Sequence, residues 1–433
     1  MPDLLTGFSD RLESPSDWLA PFRREARERL KARGLPTSRE EAWRYTPLSA
    51  LPAAEPRAGA GLDAKALGHL LFGDLPSPRL VFVNGRFVPG LSDAGSLPSG
   101  VVLGSLAEAI GSRRDLLEPH LGRQMDLSAH PFAALNAAAL IDGAFLSLAG
   151  GAALERPVHL VFVSDAKGGG PVLSQPRVLI VAGQDSRAVV AETYLSTSAG
   201  PCVTNAVSEI VLARGASVEH IRLQREGEGA FHLGMLQVRQ AARSLFTSHA
   251  VALGASLARC EIHVRLEGER ASATLNGLSL GTGTQHLDAL TVVDHVAPHC
   301  TSAERYKGIW YDRARGVFFG RIHVAPHAQG TDARQASQNL LLSEEAEVDA
   351  RPQLEIHADD VSCSHGVTIG RLDAAALFYL RSRGLSADSA RSLLTHAFAE
   401  EMVDRIPDPA VRCQLAACLC AWLTQHLGSE VRR

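Results

Sequence analysis

No GxxxxGK[ST] loop, HExxH pair or CxxC occurs in the 433 residues. This removes the signatures of P-loop NTPases, zincins and thiol–disulfide enzymes. Neither charge is in excess, with 43 basic residues against 47 acidic ones, so neither nucleic acid nor an anionic membrane is expected as a partner. Aromatic residues make up only 5% of the chain; a core of Ala, Leu, Val and Gly suits thin stacked layers better than one built on large rings. The seven cysteines are odd in number and follow no framework spacing, so free thiols in a reducing cytoplasm are expected. Long apolar runs are missing too. The most lipid-like stretch, 132–154, is broken by Asn136, Asp142, Gly143, Gly150 and Gly151 and reads as helix, turn and strand. The opening MPDLLTGFSDRLES has no basic or apolar region of a secretion signal, and a soluble cytoplasmic protein is the expectation.

What is present is 45% hydrophobic, enough for two or three domains sharing one large core. Trp18, Phe22, Ala26 and Leu30 recur every four residues, a helix that Ser16 or Asp17 can cap and Gly34-Leu35-Pro36 ends. An Ala/Gly/Pro-rich stretch, 51–62, reads as a linker, and 80–88 as a β-hairpin turned at Asn84-Gly85. Residues 106–140 are mixed and mostly helical in pattern. From about 144 to 372 the texture is short strands and turns. Segments around Ala188, Ser217, Ser244 and Ser272 superimpose at spacings of 29, 27 and 28. A period near 28 with strands and no helix indicates a parallel β-helix, preferred over the competing β-sandwich. The run QASQN, 335–339, suggests amide ladders at turns between layers.

Beyond Gly370 helical patterns return, at 372–382, at 386–406 and from Asp408-Pro409 to about 427. The middle one carries Ala390, Leu393, Leu394, Ala397, Phe398 and Val403 on its expected core face. This tail could cap the stack or present a docking surface. The expected domains are 1–143, helical and mixed; 144–371, the β-helix; and 372–433, helical.

Three clusters carry candidate ligand chemistry. In DDVSCSHGVTIG, 359–370, Cys363 and His365 stand two apart and share one strand face. Thiolate plus imidazole suits zinc or iron–sulfur chemistry. Val361, Val367 and Ile369 share that parity, however, which places the pair equally well in a buried apolar face; both readings stay open. His295, His299 and Cys300 crowd DHVAPHC, where Pro298 makes a loop and solvent-exposed turn histidines are the plainer reading. Cys413, Cys418 and Cys420 fall on the last helix and read as core-facing thiols. His323 and His327 read as surface or layer-edge residues. The adjacent acids Glu344-Glu345 and Asp359-Asp360 read as turns rather than a general acid/base pair.

Taken in order, four blocks between 305 and 384 resemble the SufB/SufD family: YKGIWYDRARGVFFGRIHV, AQGTDARQASQNLLLS, LEIHADDVSCSHGVTIG and LFYLRSRGL. Gly34-Leu35-Pro36 followed by Glu41-Ala42-Trp43-Arg44-Tyr45-Thr46, with the Cys-Ser-His-Gly core, looks like the SufD branch of that family. The resemblance implies a central right-handed parallel β-helix flanked by N-terminal and C-terminal helical domains. It implies a non-catalytic scaffold of SUF iron–sulfur cluster assembly, paired with SufB through the β-helices, with a homodimer expected when the chain is alone. It implies that the C-terminal helices recruit the SufC ATPase. It further implies that His365 helps build the nascent cluster at the SufB interface as a transient metal ligand, with Cys363 beside it and a reduced flavin in the assembled complex. The alternative from another class is a β-helix enzyme acting on polysaccharide, which needs clustered carboxylates on a strand face.

Overall fold

The computed structural model describes residues 16–57, 59, 62, 78–167, 169–197 and 200–427. Strands numbered along the chain fall into two sheets, alternately from β8 onward. One runs β4 (Val101–Ser105), β5 (Gly143–Leu148), β8 (Arg177–Ala182), β10 (Cys202–Leu212), β12 (Ala230–Gln240), β14 (Leu257–Leu266), β16 (His286–His295), β18 (Arg315–Val324) and β20 (Glu347–Ile356). Beside it, β1 (Glu55–Pro56) pairs with β7 (Val172–Ser174), which joins β10. The other runs β3 (Arg86–Phe87), β2 (Arg79–Val83), β6 (Val158–Ser164), β9 (Arg187–Ser196), β11 (Ser217–Arg225), β13 (Leu245–Ala252), β15 (Ser272–Gly281), β17 (Thr301–Trp310), β19 (Thr331–Leu341) and β21 (Val361–Gly370). Each strand pairs in parallel with the strand two along the chain from β8 onward. The result is a β-solenoid of about eight turns. Parallel pairing between turns excludes the sandwich, whose sheets are built from antiparallel neighbours.

Every second side chain points between the sheets. Ile180, Ile210, Val238, Val264 and Val293 from one sheet meet Val190, Val218, Phe246 and Ala273 from the other. Ladder partners Arg187, Ser217, Leu245 and Ser272 fix the true repeat. Ser217 and Ser272 lie in one column as expected, whereas the first and third segments are shifted by one residue from the sequence superposition. Such a slip exchanges inner and outer faces. Two residues before these strands and before β17, and one before β19, the chain turns through positive φ at Asp185, Gly215, Arg243, Arg270, His299 and Gly330. The fold demands a left-handed residue there, yet the sequence meets it with four residue types. That variety hides the repeat.

Helices cover the outer faces. α1 (Ala20–Arg33) ends on Gly34 with φ 71°, and Asp17 Oδ1 accepts the Leu19 N–H at 2.9 Å and pairs with Arg23 at 2.6 Å. Next come α2 (Leu106–Ser112), α3 (Arg114–Leu117) and α4 (Pro131–Ala138). Ala26, Leu30, Trp43, Ala133 and Ala134 pack on the outward Val203, Val207, Leu233 and Met235 of the first sheet. The Trp43–Thr46 motif is a dock on that sheet: Arg259 lies over the Trp43 ring at 3.9 Å, and Thr46 Oγ1 donates to Asp288 at 2.6 Å. The hairpin turn is as expected, with φ 50° at Asn84 and 76° at Gly85. The 51–62 stretch lies only partly within the described residues.

At the other end come α5 (Ala374–Ser382), α6 (Ala387–Val403) and α7 (Pro409–Leu427); α6 and α7 pack on the outer face of the second sheet, through Leu278, Leu280, Ile309 and Leu340, while α5 buries no residue. Asp408 caps α7 through the Ala410 and Val411 N–H groups. Two expectations change here. The buried face of α6 is Ala390, Thr395, His396, Ala399, Met402 and Val403, while Leu393 and Ala397 face outward. The core stripe of α7 is Val411, Leu415, Leu419 and Leu423, which leaves Cys413 exposed and Cys418 and Cys420 half-buried. No described helix is long and apolar enough to cross a membrane.

Candidate functional site at the open end of the solenoid

Because α6 and α7 lie along a sheet face, they do not cap the stack. Among the described residues, β20 and β21 each pair on one side only. Two ten-residue strands therefore end the solenoid with free backbone edges, an arrangement that invites another chain. Pro352 within β20 is tolerable at such an edge, where one side needs no N–H donor.

Cys363 and His365 lie on this last rung. Their ladder partners are Ala333 and Gln335, and those of Val367 and Ile369 are Ser337 and Asn339. The expected shared parity holds and it is the inward one, as Val361 and Cys363 pack against the main core. Inward does not mean buried here, because no rung follows. His365 is exposed, Ile369 is 46% exposed, and Cys363 is half-buried. Burial and Asp332 push the Cys363 thiol up, against a backbone hydrogen bond from Ala333. At neutral pH it is a thiol, not an activated thiolate.

Behind His365 the interior is polar. Gln335, buried beneath it, donates from Nε2 to Glu304 Oε1 at 3.1 Å, and burial pushes the Glu304 carboxyl up to about 7 against Thr291 and Gln335. Asn339 Oδ1 accepts from Trp310 Nε1 at 3.0 Å while its Nδ2 donates to Ser337 Oγ at 3.1 Å. Gln335 and Asn339 of QASQN are thus mid-strand inward groups and Gln338 an exposed one on the same strand, not turn ladders. Deeper in, Glu226 meets His232 at 2.6 Å, and Glu192 accepts from Tyr194 at 2.7 Å and faces His220 at 3.2 Å. Sequence reasoning missed these buried pairs; the two His–Glu pairs join residues that are not on one strand.

The family-like blocks divide by role. Trp310 fills the interior where Gly308 and Gly316 leave room, since a Cβ at either would collide with its indole. Lys307 points outward and anchors α6: Nζ reaches Glu401 at 2.6 Å and the Phe398 carbonyl at 3.1 Å. DHVAPHC makes no joint site. His295 is buried on Ser302 at 2.8 Å and pushed down to about 4 by burial, then by His323; His299 is an exposed turn, and the Cys300 thiol donates to Gly268 O at 3.2 Å. His323 is half-buried near Asp294, and His327 is exposed. The acid pairs Glu344-Glu345 and Asp359-Asp360 sit at exposed turns. One group of three metal-capable side chains converges among the described residues, and it is none of the expected clusters: His130, Glu261 and His263.

Residues 162–398 match the SufBD core domain of SUF-system iron–sulfur cluster assembly, and residues 3–160 match the SufBD N-terminal region. The chain belongs to the SufBD family. It is 32% identical to the iron–sulfur cluster assembly protein SufD of Escherichia coli, covering 92% of each chain. It is 34% identical to an iron–sulfur cluster assembly SufBD family protein of Synechocystis sp., over 92% of this chain and 89% of the relative. With SufD of Bacillus subtilis it shares 29% identity over 74% of this chain and 73% of the relative. The matched core contains the whole solenoid from β9 to the exposed rung of this SufBD protein, so Cys363 and His365 lie inside the family-defining domain.

Proposed function

We propose that this SufBD protein is a cytoplasmic scaffold subunit of SUF iron–sulfur cluster assembly, without turnover of its own. Its open solenoid end pairs with the β-helix of a SufB partner, and the nascent cluster, the cargo, is built at that junction. The observation that carries this reading is the uncovered last rung, with His365 and Cys363 on an inward face that is open to a partner. His365 offers an accessible imidazole to the forming cluster, and Cys363, held as a thiol by burial, acts second to it. When no SufB is present, a second copy can take the same edges.

The C-terminal helices recruit the SufC ATPase, which supplies the ATP hydrolysis for which this chain has no P-loop. Phe378 and Tyr379 of α5 are 75% and 57% exposed, large apolar surface of the kind that partners cover. For the reduced flavin, the open end presents the free edges of β20 and β21. It does not by itself enclose an isoalloxazine ring, and no step is derived through it.

The test is His365→Ala in the co-expressed assembly. The variant should co-purify with SufB and SufC at wild-type stoichiometry and assemble cluster at least tenfold more slowly. Loss of the assembly, or cluster formation at the wild-type rate, would refute the assignment.

A further inference from the structure

Far from the open end, Arg259, Glu261 and His263 alternate along β14 and so project together from the outer face of the first sheet. His130, the residue immediately before α4, comes down on them from the N-terminal region. Its Nδ1 lies 3.9 Å from Glu261 Oε2, and His263 Nε2 lies 3.6 Å from the same oxygen. The three ligand atoms all fall within 4.8 Å of one another, and the two imidazoles meet edge-on at 4.8 Å between centroids. Neither distance to Oε2 is a hydrogen bond. His263 Nε2 is buried and has no hydrogen-bond partner at all. Leaving a buried polar nitrogen unpaired is costly unless something binds it.

The surroundings favour a cation. Arg259 donates from Nε to the other Glu261 oxygen at 2.7 Å and pairs with Asp288, so one cation faces two carboxylates. Asp126 adds a further negative charge near His130. Burial and the neighbouring His263 both disfavour a charged His130 ring. Burial works to raise the Glu261 carboxyl, but Arg259 and the two histidines hold it well below the usual range. With Oε1 fixed by Arg259, Oε2 is oriented as a monodentate ligand, the role that outer hydrogen-bond partners play at metal sites.

We propose that His130 Nδ1, Glu261 Oε2 and His263 Nε2 form a binding site for a first-row divalent transition ion such as Zn2+ or Fe2+, which staples the start of α4 to β14. Two imidazoles and one carboxylate are the donor set such ions take, with further positions left for water. At metal–ligand distances of roughly 2.1 Å, ligand atoms stand about 3–3.5 Å apart, so the widest pair must close by little more than an ångström. Side-chain rotation of His130 on its exposed side of the cluster supplies that movement.

The test uses the full chain carrying Cys363→Ala and His365→Ala, which removes the open-end ligands. Co2+ titration should show one equivalent with visible d–d absorption that Zn2+ displaces, and Zn2+ should raise the melting temperature. Adding His263→Gln, or separately His130→Gln, should weaken Co2+ binding more than tenfold and abolish the Zn2+ shift. X-ray absorption of the Zn2+-loaded chain should show nitrogen and oxygen neighbours only. Undiminished Co2+ binding in both glutamine variants, absence of any stoichiometric binding, or sulfur in the first shell would overturn the assignment.

Discussion

Glu304 is the interior carboxyl closest in register to the open end, one rung behind Gln335 and two behind His365. Burial raises it from an ordinary 4.5 to about 7, against Gln335 and Thr291, and Oε2 has no hydrogen-bond partner. A carboxyl that prefers its neutral form when folded holds an extra proton between roughly pH 4.5 and 7, so stability falls with rising pH across that window. Above pH 7 the ionised, buried group costs up to about 3 kcal/mol relative to the unfolded chain. Glu304→Gln keeps the shape and an oxygen for the Gln335 N–H but never ionises. Urea denaturation of wild type and variant should therefore give similar stabilities at pH 5. At pH 8.5 the variant should be the more stable by up to about 3 kcal/mol. An equal loss from pH 5 to pH 8.5 in both proteins would refute the reasoning, and so would a variant less stable at pH 8.5.

Two further outcomes follow from packing. Lys307→Ala removes the ion pair to Glu401, the bond to the Phe398 carbonyl and the stacking on the Phe398 ring at 4.3 Å; a loss of about 1–3 kcal/mol should raise amide exchange in α6 about fivefold or more while the solenoid strands keep their protection, and unchanged exchange would contradict the anchor. Arg270 holds φ 60° at a solenoid turn with only an exposed pairing to Glu269 at 3.4 Å, so Arg270→Gly should raise stability by about 1 kcal/mol through relief of the left-handed backbone, and a lower melting temperature would contradict it.

Much of the fold was legible because it rests on local chemistry. Asn84-Gly85, Gly34 and Asp408-Pro409 mark turn, helix end and helix start through backbone preferences that act within a few residues. The solenoid showed itself through a period near 28, yet its register was one residue off in two segments. Arg243 and Arg270 occupy a turn position that glycine fills elsewhere, so no constant residue marks the column. The faces of α6 and α7 were misread for another reason. A helix lodged between a sheet and a second helix buries small and polar residues such as Thr395 and His396, which amphipathic periodicity counts as surface. Burial there is set by the neighbours, not by the helix's own pattern.

The site obeys a subtler rule. Strand parity places Cys363 and His365 on one face, and that inference holds. What parity cannot supply is the position of the strand in the stack. One rung deeper, the same column holds Ala333 and Gln335 fully enclosed, and a thiol and imidazole there would be structural. On the last rung, the identical inward face meets no further layer. The choice between ligand and core residue was never a property of the motif alone; it depends on whether another turn of the solenoid follows Gly370. Here helices follow instead, and α6 and α7 turn aside onto the sheet face, where Leu340 and Ile309 hold them. That turning aside leaves His365 both inward and accessible, the combination a partner solenoid needs if it is to continue the stack and enclose a cluster at the join.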